Sequence, residues 1–87
     1  MDLNVGAFVE NIASAKIIMV ELDSKSKNVR FTEFFKKVKQ FGDEIRFSCD
    51  DDSIELIVKG SCIKQIAYIE PMYVLHLADM TIGVSPM

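Results

Sequence analysis

The sequence predicts an α+β domain, with one or two helices on one face of an antiparallel sheet of four to five strands. Three observations predict it. Apolar residues recur at helical spacing in residues 4–15 and again in 30–42, and they alternate with polar residues from position 45 onward. The strand-like segments are also grouped rather than interleaved with helices, which favours a sheet with its helices segregated to one side.

Taken in order, "NVGAFVENIASA" (residues 4–15) carries Val5, Phe8, Val9, Ile12 and Ala15 on one face of a helix. It forms an N-terminal helical extension, 1–15, to a unit spanning 16–87. "KIIMVEL" (16–22) is a continuous apolar and β-branched run, the pattern of a strand buried on both faces. "DSKSKN" breaks it with turn formers.

"RFTEFFKKVKQFG" (30–42) is the richest segment. At 100° per residue, Phe31, Phe34, Phe35, Val38 and Phe41 fall in a stripe about 120° wide, which predicts a helix docked on the sheet. Asn28 suits its N-cap and Gly42 a left-handed stop. Lys36, Lys37 and Lys39 would lie near the negative end of its dipole.

Beyond Gly42 the period becomes two. Ile45, Phe47 and Cys49 alternate with Arg46, Ser48 and Asp50 in one strand; "DDDS" turns the chain, and Ile54, Leu56 and Val58 continue in a second strand of a hairpin. "IKQIAYI" (63–69) supplies a third, ended by Glu70–Pro71 because proline cannot donate to a ladder. Residues 73–77 and 80–84 read as further short strands.

The chain has 87 residues, 49% hydrophobic and 26% charged, which suits one small globular domain. No uncharged apolar run approaches the roughly 20 residues of a membrane span, and the start lacks an export pattern. An intracellular protein, cytoplasmic or nuclear and not secreted, is expected. Cys49 and Cys62 stand without partners at zinc-ligand spacing, so buried reduced thiols are expected rather than a metal site, with a disulfide left open.

Catalytic chemistry finds no support in the pattern. His76 is the only histidine and has no identifiable base partner. Asp50, Asp51 and Asp52 lack the spaced ligands and glycine of a calcium loop, and Gly6, Gly42, Gly60 and Gly83 are too scattered to cradle phosphate. The expectation is a protein that is not an enzyme, with no cofactor, metal or small-molecule substrate.

Charge is segregated along the chain. The net charge is −3, yet residues 24–41 hold Lys25, Lys27, Arg30, Lys36, Lys37 and Lys39 against Glu33 alone. Such a patch either solvates a helix face or attracts phosphate to an otherwise acidic body.

These residues carry a resemblance. "IIMVELD", "VRFTEFFKKVKQFGDEIRFSCDDDSIELIVKGSCIKQIAYIEP" and "TIGVSPM" together resemble one half-domain of a DNA sliding clamp of the proliferating-cell-nuclear-antigen type, a processivity factor of DNA replication. The resemblance implies a β-α-β-β-β repeat whose helix faces DNA, with Arg30, Lys36, Lys37 and Lys39 beside the backbone phosphates. It also implies that sheet edges join neighbours, and that this single repeat is either a piece of a longer chain or a convergent pattern. The rival expectation is a homo-oligomeric protein-interaction or scaffold module without a nucleic-acid role, held by sheet edges and by apolar residues such as Ile57, Met72 and Met87.

Overall fold

The computed structural model describes residues 4–24, 26–49 and 55–87. The predicted "DDDS" turn and Ile54 lie outside the described residues. Among the described residues the architecture is α+β, mostly antiparallel sheet with one short helix.

Helix α1 (Val5–Ile12) forms where the periodicity predicts it. The Asn4 side-chain oxygen accepts the Ala7 N–H at 2.7 Å, satisfying one of the orphan donors of the first turn. Phe8 and Ile12 are fully buried, and the Phe8 ring meets Tyr73 edge-on with centroids 5.5 Å apart.

Among the described residues eight strands follow: β1 (Ile18–Ser24), β2 (Val29–Phe35), β3 (Lys37–Phe41), β4 (Glu44–Ser48), β5 (Glu55–Lys59), β6 (Gln65–Ile69), β7 (Met72–His76) and β8 (Met80–Pro86). They build a five-stranded sheet in the order β2-β1-β8-β7-β6 and a three-stranded sheet in the order β3-β4-β5. Every pairing among them is antiparallel.

The predicted helix over 30–42 does not form, and with it goes the β-α-β-β-β order. Its residues make β2 and β3, separated by Lys36 alone, so one long bent strand serves both sheets. The bend also reassigns the aromatic stripe. Phe35 and Val38 enter the core, whereas Phe31, Phe34 and Phe41 are exposed. Gly42 has the left-handed backbone expected of it, φ 56°, but in a turn rather than at a helix end; Asn28, expected as an N-cap with extended backbone, is left-handed as well, φ 53°, and also lies in a turn. Gly42 and Asp43 form a two-residue hairpin turn between the paired Phe41 and Glu44.

The core lies between the sheets. From the large sheet come Ile18, Val20, Phe35, Ile66, Tyr73, Leu75, Ile82 and Val84; from the small one come Val38, Ile45, Phe47 and Val58. Strand β1 sits between β2 and β8 but buries only one face, through Ile18, Val20 and Ser24 with Leu22 half-buried, a correction to the expectation of two. The alternation predicted for β4 and β5 is observed, with Ile45 and Phe47 inward and β4 paired to β5 as a hairpin.

A 3₁₀ turn, Gly60–Cys62, leads out of the small sheet. Asp43 anchors it, its carboxylate accepting the Ser61 N–H at 2.9 Å and the Ser61 hydroxyl at 2.7 Å. Strand β6 then pairs with β7, where Tyr68 packs on Tyr73 with ring centroids 4.7 Å apart. Both cysteines are free thiols, and Cys62 is exposed rather than buried. Among the described residues no helix is long and apolar enough to cross a membrane.

Candidate nucleic-acid interface

Side chains alternate across a strand, so the register of the small sheet fixes its outer face. Lys37, Ser48 and Glu55 form one row across β3, β4 and β5; Lys39, Arg46 and Ile57 form the next; Phe41, Glu44 and Lys59 form the third. The opposite face, with Val38, Ile45, Phe47 and Val58, is sealed against the core. The face is therefore held by packing beneath it, and its side chains project outward.

Among the described residues four cations and two carboxylates share this surface, within a chain whose net charge is −3. Glu44 engages Arg46 through Oε1, at 3.1 Å to Nε and 2.8 Å to a terminal nitrogen. That hydrogen bond is the main reason the Arg46 guanidinium holds its proton more firmly than a free arginine; desolvation opposes it, and the Glu44 and Glu55 charges add to it. The guanidinium also lies 4.8 Å from the centre of the Phe41 ring, in cation–π range.

Arg46 also sits directly opposite Lys39. Like charges across a ladder repel; Glu44 offsets the Arg46 charge, and Lys39 has no such carboxylate partner among the described residues. Among the described residues no carboxylate pairs with Lys37, Lys39 or Lys59. Lys37, Lys39, Phe41, Arg46, Ser48 and Glu55 line an open depression of about 340 Å³.

Of the four cations predicted to share one helix face, the structure brings two together. Lys37 and Lys39 lie on the outer face of β3, two residues and about 7 Å apart. Lys36 occupies the bend, exposed, with its N–H donated to the Ser48 carbonyl at 3.0 Å. Arg30 belongs to the other sheet, on β2, where it reaches Asp23 at 3.5 Å. Sequence reasoning missed Arg46, Lys59 and Phe41 as neighbours of the lysines. The signal was available for Arg46, since the alternation of β4 places it on the polar face and the Gly42–Asp43 hairpin sets its register.

Strand β2 is the second unusual surface. It is an edge of the five-stranded sheet, bonded to β1 on one side. Phe34 directs both backbone polar groups to the other side: its carbonyl accepts the Cys49 thiol at 3.6 Å, and its N–H donates to Glu33 Oε1 at 3.3 Å. Val29, Phe31 and Phe34 are each about half exposed, at 53%, 45% and 51%.

His76 is half-buried on β7, opposite Thr81, and its carbonyl accepts the Lys64 N–H at 2.7 Å. Among the described residues, no three His, Cys, Asp or Glu side chains gather as metal ligands. Comparison of the chain with family models, with curated proteins and with solved structures found no match.

Proposed function

We propose that this is a non-catalytic nucleic-acid-associated domain that contacts backbone phosphates through the outer face of β3, β4 and β5. The observation that carries this reading is the pair Lys39 and Arg46, set opposite each other beside the unpaired Lys37. Phosphate relieves such repulsion and releases counterions from the nucleic acid, giving attraction that is independent of sequence and sensitive to salt. The contacts differ from those of the clamp resemblance in being presented by a sheet rather than a helix. A clamp-like role in DNA replication would additionally need several copies in a ring around the duplex.

The test is fluorescence anisotropy of a labelled duplex titrated at several salt concentrations. Binding should weaken steeply as salt rises, with a log–log slope of about −0.9 per phosphate contacted. Lys37→Glu combined with Lys39→Glu should flatten that slope by about 2 and weaken binding at low salt. Arg30→Ala, across the bend, should change little. Binding that persists unaltered in the double variant overturns the assignment.

The alternative, a homo-oligomeric interaction module, is favoured by one specific feature, the half-exposed aromatic edge of β2.

A further inference from the structure

The edge of β2 has a defined hydrogen-bonding phase. Within an antiparallel strand the N–H and C=O of one residue point the same way, and successive residues alternate. Because Phe34 points away from β1, so do Arg30 and Thr32. No hydrogen bond engages the backbone N–H or C=O of Arg30 or Thr32 among the described residues. Such an edge is a template for another strand: no proline or lysine falls within Val29–Phe35, and its two charges, Arg30 and Glu33, are of opposite sign.

We propose that β2 pairs antiparallel with β2 of a second copy of this chain, about a two-fold axis passing through Phe31. The inference deepens the interaction-module reading and is independent of the phosphate-binding face, which lies on the other sheet. Directly opposed side chains share one face of a sheet, so a two-fold axis normal to it must pass through a residue.

Centring that axis on Arg30 would oppose two guanidinium groups, and centring it on Glu33 would oppose two carboxylates. Centring it on Thr32 would oppose Arg30 to Phe34, whose N–H and C=O are already engaged by Glu33 and Cys49. Phe31 remains. There Arg30 of each copy faces Thr32 of the other, and the free N–H and C=O groups of both residues are satisfied. The two Phe31 rings meet in a non-hydrogen-bonded pair, where Cα atoms approach to about 4.5 Å. Val29 falls opposite Glu33, and no like charges are opposed. Pairing would join two five-stranded sheets into one.

Cysteine cross-linking reads the axis directly. In a Cys49→Ser, Cys62→Ser background, Phe31→Cys places two thiols across the two-fold at a Cα separation suited to a disulfide. Phe34→Cys serves as the control, since its two copies would lie six residues apart, about 20 Å. Both positions are about half exposed, so neither substitution threatens the fold. Mild oxidation should convert the Phe31→Cys chain to a covalent dimer at least tenfold faster than the Phe34→Cys chain.

Light scattering on the unmodified chain should show mass rising from 9.8 kDa toward twice that value with concentration. Phe31→Glu, which opposes two carboxylates at the axis, should hold the mass at 9.8 kDa. Equal cross-linking rates, association undiminished by Phe31→Glu, or an unmodified chain still monomeric at about 1 mM would each overturn the proposal. Because Phe31 lies off the phosphate-binding face, its failure would leave the anisotropy result standing, and the reverse holds equally.

Discussion

Replacing Phe35 with alanine should cost several times what the same change costs at Phe34, although the two are neighbours in the chain. The Phe35 ring is 1% exposed and packs at 5.8 Å from the Phe47 ring, whereas Phe34 is 51% exposed on the far side of the sheet. Truncating an enclosed phenylalanine loses its transfer energy and leaves a cavity, about 3–5 kcal/mol together. At Phe34 only half of a transfer term of about 1.5–3 kcal/mol is at stake and no cavity forms, which leaves about 1 kcal/mol.

A chain of 87 residues has a total stability of about 4–13 kcal/mol, so the difference is easily resolved by urea denaturation monitored by circular dichroism. Should Phe35→Ala fail to fold, Phe35→Leu provides the same ranking at smaller cost. A helix face over 30–42 would bury both rings alike. Equal losses at the two positions would therefore refute the bent-strand assignment.

Two further effects are expected. Gly42→Ala should destabilise by about 1 kcal/mol through backbone strain alone, since φ is 56° and nothing lies within 4 Å of an added Cβ; Gly42→Asn should cost less in the same melts. The Tyr68 phenol, about half exposed, should titrate above the usual 10.0, chiefly because partial desolvation disfavours phenolate, with the Glu70 charge and Tyr73 adding to the effect. A raised folded-state pKa makes its contribution fully present below the unfolded value and lost as pH rises through the folded one. Stability should therefore decline above pH 10, and Tyr68→Phe should remove the late step from a UV titration; an unchanged curve would refute the assignment.

Much of the fold was legible in the sequence. Helix α1 could be read because Val5, Phe8, Val9 and Ile12 repeat at helical spacing behind an Asn cap. The β4–β5 hairpin could be read because Ile45, Phe47, Leu56 and Val58 alternate with polar residues. Residues 30–42 were misread for a physical reason. Phe34 and Phe41 add aromatics to the outer faces, which hides the period of two. The bend at Lys36 then puts two residues, not one, between the inward Phe35 and Val38, and that phase slip imitates helical spacing.

The candidate site shows the same division. Lys37 and Lys39 were recognisable because their spacing of two survives on a strand as a shared face. Arg30 and Lys36 were grouped with them by nearness in sequence, which the bend undoes. Arg46, Lys59 and Phe41 join through cross-strand register, information that belongs to the pairing of strands rather than to any local run.

The bent strand has a consequence for how the molecule comes apart. A segment bonded to β1 at one end and β4 at the other splices the two layers, so fraying in either should propagate into its neighbour within a few residues. Hydrogen exchange would then show Val20 and Phe47, in different layers, opening in a single event. Assembly is constrained in the same way, since closing β8 onto β1 joins Ile18 to Pro86 across nearly the whole chain, a late and slow event in a topology of long-range pairings.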